Sequence, residues 1–313
     1  MTPMTPEEKK ALKNRGFLPT TDGNCSARII TVNGKLTADQ TQTLCCAARQ
    51  YGTGQLYFTT RLTVEVPGID YKDVEDFAQY IAKAGLSTGG TGSRVRPIVC
   101  CKGSVCVHGL QDTFTLAEKI HEVFYKGWYD VKLPHKFKIG ISACPNACVK
   151  PQLNEFGLIA QKVPAFDEDM CNGCKRCAPM EVCPMQAFAR EGGTTVLDTD
   201  KCNNCGKCVN MCPFDCVEEK AVGYKITIGG KWGKHPRPGD EVPGVYTESE
   251  VMRILEKTLL VYREQGKTGE RMGAMVERIG TENFIRQILS DEVLERKQQI
   301  LDAPLHLVGG ATC

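Results

Sequence analysis

Cysteines at metal-ligand spacings are the strongest chemical signal in this chain. Cys171-x2-Cys174-x2-Cys177 is followed by Cys183-Pro184, and Cys202-x2-Cys205-x2-Cys208 by Cys212-Pro213. Three thiolates at this spacing wrap one face of a cubane, and the fourth comes from the other half of the repeat, so two clusters exchange their last ligand. Cys171, Cys174, Cys177 and Cys212 are therefore expected to hold one [4Fe–4S] cluster, and Cys202, Cys205, Cys208 and Cys183 a second. The first half has five residues before its Cys-Pro rather than three, which lengthens a loop without removing a ligand. Zinc is the competing reading, and two tandem copies of the spacing argue against it. A looser set, Cys100-x5-Cys106 and Cys144-x3-Cys148, again supplies four thiols. By spacing alone it is a third [4Fe–4S] cluster, a zinc site or two unrelated pairs. Of the remaining cysteines, Cys45 and Cys46 are expected as core thiols on a helix, Cys101 as structural and Cys216 as a plain buried thiol. Cys313 is either incidental or a mobile thiol.

Composition sets the frame for that chemistry. The chain has 313 residues, enough for two or three compact units. Its net charge of +2 gives no bulk attraction to nucleic acid or to a membrane surface. The start, MTPMTPEEKKALKNRG, has no apolar core segment and does not read as a signal peptide, and no apolar run is long enough to span a bilayer. A cytoplasmic chain that keeps 18 thiols reduced most simply uses them on metal.

The elements that must position the cysteines follow from periodicity and caps. Thr5-Pro6-Glu7-Glu8 opens an N-terminal helix. The strand ARIITV ends at the turn pair Asn33-Gly34, and Thr37-Ala38-Asp39-Gln40 caps a helix running to Gly52. LYFTTRLTVEV reads as one strand stopping at Pro67-Gly68, and residues 71–84 as a helix with Val74, Phe77, Ala78 and Ile81 on one face. The glycine-rich stretch 86–93 is a loop, and it lacks the ending of a phosphate loop. A helix near 115–125 precedes the alternating strand FKIGIS, the Cys144–Cys148 loop and the apolar run FGLIA. After the Cys-rich block the pattern resumes with GYKITIGG and a long helix capped by Thr247. The block is thus an insertion. The division is 1–90, then 91–163 with 222–313, and 164–221 as the insert, in an α+β chain built of α/β layers.

These motifs together resemble the siroheme-dependent sulfite and nitrite reductases. ACPNACVKPQLNEFGLIA looks like that family's second cluster motif, and ITIGGKWGKHPRPG like its Gly-Gly segment beside the tetrapyrrole. The first hundred residues look like its ferredoxin-like half-domain. The two-cluster ferredoxin insert is similar to dissimilatory sulfite reductase subunits, and the layout is closer still to the C subunit of anaerobic sulfite reductases. The resemblance implies that Cys100, Cys106, Cys144 and Cys148 hold a third [4Fe–4S] cluster, with the Cys148 thiolate shared with the siroheme iron. It implies that Asn146, Gly229 and Gly230 lie at the siroheme and that Arg61 meets one of its carboxylates. It carries Arg28, Arg96, Lys136 and Lys138 over as the cations that hold the oxyanion. Arg28 lacks the neighbouring Arg and Pro usual there, and His135 stands where an arginine is common. Arg94 is a further candidate contact.

The implied activity is six-electron reduction of sulfite to sulfide. Cationic donors concentrate a compact dianion and form charge-assisted hydrogen bonds to it. The lysines are placed to give protons as S–O bonds break. Nitrite reduction to ammonia is the alternative, against which Lys138 leans, because plant-type nitrite reductases tend to carry Asn there. A non-catalytic iron–sulfur electron-transfer subunit is a third reading. No Rossmann fingerprint is present, so electrons are expected from a ferredoxin or from flavin or iron–sulfur partner subunits. A single repeat that carries both cluster cysteines and pocket cations predicts a homodimer or hetero-oligomer. In a homodimer, Cys148 of one protomer would face the basic residues of the other.

Overall fold

The computed structural model describes residues 5–306, so Cys313 lies outside the described residues. The first layer follows from local signals. Pro6–Asn14 (α1) is closed at its start by a reciprocal capping box between Thr5 and Glu8. Phe17–Pro19 (β1), Cys25–Ile29 (β2), the helix Ala38–Tyr51 (α2), Tyr57–Phe58 (β3), Val64–Ile69 (β4) and the helix Val74–Ala82 (α3) follow in order. The strands form an antiparallel sheet in the order β1-β2-β4-β3. Phe17, Ala27, Val66, Leu44, Phe77 and Ile81 close its core against α2 and α3.

One expectation is corrected here. LYFTTRLTVEV is not one strand, because the chain doubles back between β3 and β4. The bond joining the Thr59 and Thr63 hydroxyls and the left-handed Leu62 (φ 58°) make the turn. Nor does the strand stop at Pro67-Gly68. β4 continues to Ile69 through a register shift, the kind of bulge at which a strand tolerates proline.

The second layer begins with Val99–Cys100 (β5), Thr113–Ile120 (α4), Ile139–Ser142 (β6) and Phe156–Phe166 (β7). Ala178–Val182 (α5) and the hairpin Phe188–Glu191 (β8) with Thr194–Leu197 (β9) belong to the Cys-rich block. Val217–Ile228 (β10), Asp240–Tyr246 (β11), Glu248–Gln265 (α6), Met272–Ile279 (α7), Thr281–Leu289 (α8), Glu292–Glu295 (α9) and Lys297–Asp302 (α10) complete the chain. The sheet order is β11-β10-β7-β6-β5, parallel across β7-β6-β5 and antiparallel across β10. Ile139, Ile141, Phe156, Leu158 and Ile226 pack with Leu116 and Ile120 of α4 and Leu255 and Leu259 of α6. Burial of this apolar set is the main force holding the unit together.

β7 and β10 pair along their whole length, from Phe156↔Ile228 to Phe166↔Val217. The Cys-rich block therefore hangs from the end of a continuous two-stranded ribbon. Its own buried core is small, Phe188, Cys208 and Val217, with Phe166, Met180 and Leu197 half-buried around it.

Candidate functional site

Three groups of side chains converge. In the first, Cys171, Cys174, Cys177 and Cys212 line one small cavity of the Cys-rich block, with Cys216 beside them. Four thiols lining one space match a four-iron cluster in donor type and number. Gly173 (φ 57°) gives the turn that brings Cys171 and Cys174 to one side. Backbone N–H groups of Gly173 and Thr195 hold the Cys171 thiol below its ordinary pKa. Cys216 is buried and donates to the Met170 carbonyl at 3.1 Å.

The second group lies nearer the main sheet. Burial pushes the Cys208 thiol up to about 11, with Cys202, Cys205 and Cys183 each raising it further. These four thiols thus share one electrostatic environment. The loop that carries Cys202, Cys205 and Cys208 is tied to β7 where the Lys162 N–H donates to the Asn204 carbonyl at 2.9 Å. Left-handed Gly206 (φ 67°) packs on Lys162, and a Cβ there would lie 2.5 Å from Lys162 Cδ. Lys162 and Cys205 line, with Cys144, Pro145 and Asn146, a cavity of about 370 Å3.

The third group is the loop after β6. Burial raises the Cys144 thiol, the Asn146 N–H opposes this, and Cys101, Cys148 and Cys106 raise it further. Cys148 is exposed at the loop tip, between left-handed Ala147 (φ 47°) and Lys150 (φ 49°). Such backbone persists only where its surroundings over-determine it. Cys106, Cys144 and Cys148 are brought together. Cys100 is not among them, because it is 3% exposed within the apolar core. Cys101, read from sequence as merely structural, sits with them instead. Gly229 and Gly230 line neither cavity. The approach of the loop's exit explains Gly230, where a Cβ would lie 2.2 Å from the Gln152 carbonyl oxygen.

Five of the six expected cations line a single cavity of about 240 Å3, Arg28, Arg61, Arg96, Lys136 and Lys138, with Thr59, Thr60, Thr63, Gly90 and Pro97, while the sixth, Arg94, stacks on the Tyr129 ring at 4.4 Å instead. Arg28 is partly neutralised across the sheet by Glu65 (2.7 Å). Arg61 spends its terminal nitrogens on Asn154 Oδ1 (3.0 Å) and on the carbonyls of Pro97 (2.6 Å) and Ile139 (3.2 Å). It therefore ties the first layer to the second. The Nε atoms of Arg61 and Arg96 are buried and meet no acceptor among the described residues. Burial lowers both guanidiniums to about 10, with Arg28 among the like charges adding to it in each case. Burial and Arg61 take Lys138 down to about 8. His135 is lowered to about 4 by burial and then by Lys136, and its Nδ1 accepts the Lys136 N–H at 2.7 Å. It is therefore neutral near pH 7. A cavity of crowded cations with unspent donors fits an anion.

Glu155 was not singled out from sequence. It is 0% exposed. Its carboxylate takes the Lys138 N–H (3.0 Å) on one oxygen and two nitrogens of Arg271 on the other, with Arg271 Nε at 2.6 Å. A charged residue opening the apolar run FGLIA was the available signal.

Comparison with known proteins follows the same lines. Residues 91–297 match the family model described as the nitrite and sulphite reductase 4Fe-4S domain, and residues 18–84 the nitrite/sulfite reductase ferredoxin-like half domain. A coenzyme F420-dependent sulfite reductase of Methanocaldococcus jannaschii is 36% identical over 244 residues, 77% of this chain and 38% of that protein. The chain thus spans well under half the length of that relative. The C subunit of the anaerobic sulfite reductase of Salmonella typhimurium is 27% identical over 310 residues, 90% of this chain and 88% of that one. A crystal structure of dissimilatory sulfite reductase I superposes with a TM-score of 0.68 at 19% identity, over 92% of this chain and 73% of that one. Among the described residues no helix is long and apolar enough to cross a membrane.

Proposed function

The chain belongs to the nitrite and sulphite reductase family, and from that premise we propose that it reduces sulfite to sulfide on siroheme. The observation that carries this is the single cavity lined by Arg28, Arg96, Lys136 and Lys138, with the buried Arg96 Nε meeting no acceptor among the described residues. The siroheme, with its coupled cluster, supplies the iron and the electrons of the reaction when bound. The protein's part is to hold the oxyanion on the four cations and to deliver protons. Lys138, at about 8, is still largely protonated at neutral pH yet gives up its proton more readily than an exposed lysine. Reduction of sulfite to hydrosulfide takes six electrons and seven protons and releases three waters, so a proton source beside the anion is required. When bound, the siroheme would share the Cys148 thiolate, Asn146, Gly229 and Gly230 would border it, and Arg61, whose terminal nitrogens are committed to Asn154, Pro97 and Ile139, would offer a carboxylate its Nε.

The two thiol sets of the Cys-rich block hold ferredoxin-type [4Fe–4S] clusters. The cavity shared by Cys205 and Cys144 supports the block as the side from which electrons arrive. The donor is a ferredoxin or a flavin or iron–sulfur subunit, and the protein works in the cytoplasm. Residues 1–90, 91–163 with 222–313, and 164–221 are its three units. Val105 and Val107, flanking Cys106, are 73% and 94% exposed, which supports a covering partner. A homodimer in which Cys148 of one protomer faces the Lys138 side of its partner meets that need.

An anaerobic absorption spectrum followed by turnover with an artificial reductant tests the activity. Siroheme bands and sulfide release from sulfite are expected. Protein without siroheme bands would instead be an electron-transfer subunit, and preference for nitrite would reassign the substrate. The shared site is tested by co-assembling Cys148→Ala and Lys138→Ala chains, each inactive alone. Activity regained on mixing supports a site built from two protomers, and none regained refutes it.

A further inference from the structure

We infer that Cys101, rather than Cys100, is the thiol that joins Cys106, Cys144 and Cys148 on the siroheme-coupled cluster. The inference rests on the proposed cluster and changes which residue of the Cys100–Cys101 pair holds it.

The two thiols leave the strand in opposite directions, as successive strand residues do. Cys100 pairs with Ile141 in the parallel ladder, and its side chain lies in the core that α4 and α6 cover. Cys101 stays in the ladder through its N–H, which donates to the Ile141 carbonyl at 3.0 Å. Its Sγ accepts the N–H of Ala143, the residue before Cys144, at 3.3 Å. Backbone N–H groups aimed at sulfur are a usual surrounding of cluster ligands and tune their potential.

The loop carrying Cys101 is fitted to the Cys144 loop. A Cβ on Gly103 would stand 1.9 Å from the Ala143 Cβ, and the Leu110 N–H donates to the Ala143 carbonyl at 2.8 Å. The Thr113 hydroxyl pins the Cys101 carbonyl at 2.8 Å. From Cys101 the chain reaches Cys106 through the tight turn Gly103–Val105, closed by the Cys106 N–H on the Gly103 carbonyl at 3.1 Å. Turning Cys100 toward Cys144 would slip β5 by one residue. That would carry Ile98 out of the core with Cys100 and drive Cys101 into it.

The test uses the full chain, isolated anaerobically with its cofactors, as Cys100→Ala, Cys101→Ala and Cys106→Ala variants. Iron and acid-labile sulfide per chain are measured alongside the siroheme spectrum. Cys100→Val, which keeps the core filled, guards against simple misfolding. Cys101→Ala and Cys106→Ala are expected to fall from about thirteen irons per chain, siroheme iron included, to about nine, the loss of one [4Fe–4S] cluster. Both Cys100 variants should keep the parental content. Iron lost in both Cys100 variants, or kept in Cys101→Ala while Cys106→Ala loses it, overturns the assignment. Full iron in Cys106→Ala would instead sink the coupled-cluster reading itself.

Discussion

Replacing Glu155 with alanine tests the joint between anion pocket and cysteine loop. The carboxylate is fully buried and its partner Arg271 is 18% exposed at the side chain. It also takes the backbone N–H of Lys138, and its own carbonyl takes the Gly229 N–H at 2.9 Å. Its removal strands a half-buried guanidinium and one backbone donor. Breaking a buried pair from one side costs about 3–5 kcal/mol, chiefly because the other charge is left uncompensated. For a unit of this size each kcal/mol moves the midpoint by about 2–4 °C, so Tm should drop by roughly 6–20 °C. Scanning calorimetry of the intact protein reads this directly. The double variant Glu155→Ala/Arg271→Met removes the orphaned charge and should be more stable than Glu155→Ala alone. A loss under about 1 kcal/mol, the scale of an exposed pair, or a double variant less stable than the single one, would refute the reasoning.

Other expectations concern charge, metal and packing. Because burial depresses Lys138, its charge is present below a pH of about 8 and is lost as pH rises through it. The kcat/KM for sulfite should therefore fall on the alkaline side near that value. The same profile for Lys138→Met should lose that limb, and an unchanged limb would assign it to another group. Chelating the proposed iron should make residues 167–216 sensitive to protease while the first sheet stays resistant, since the cluster of Phe188, Cys208 and Val217 is a marginal core. Limited proteolysis with mass spectrometry locates the cuts. Gly103→Ala should cost about 1–3 kcal/mol by overpacking on Ala143. Denaturant unfolding gives that cost, and a neutral result would show the loop free to shift.

Much of this was legible in the sequence because the signals are local. Capping boxes at Thr5, Thr37 and Thr247 start helices where expected. The cysteine spacings anticipated the set of thiols around the cavity of Cys171 and Cys212, which a count of residues is able to do. The cations expected at the anion also line one cavity. What escaped depends on direction or on distant partners. Spacing counts residues and not faces, so Cys100 and Cys101 could not be told apart before the register of β5 on β6 was known. Glu155 is one of 37 acidic residues, and its partner Arg271 is 116 positions away. The turn at Leu62 hides in a run rich in Thr, Val, Tyr and Phe, which favour strand, because the Thr59–Thr63 bond that helps make it is a side-chain contact.

The ribbon of β7 and β10 bears on how such a chain is assembled from modules. Its outer ends, Phe166 and Val217, are direct cross-strand partners, so the chain leaves and re-enters the ribbon at points only about 5 Å apart. A two-residue hairpin turn could close that gap. The Cys-rich block therefore occupies the place of a hairpin loop, and the two strands below it pair with each other on either side of it. One catalytic body could in this way be matched to different electron donors by replacing what is plugged into the tip of a single hairpin.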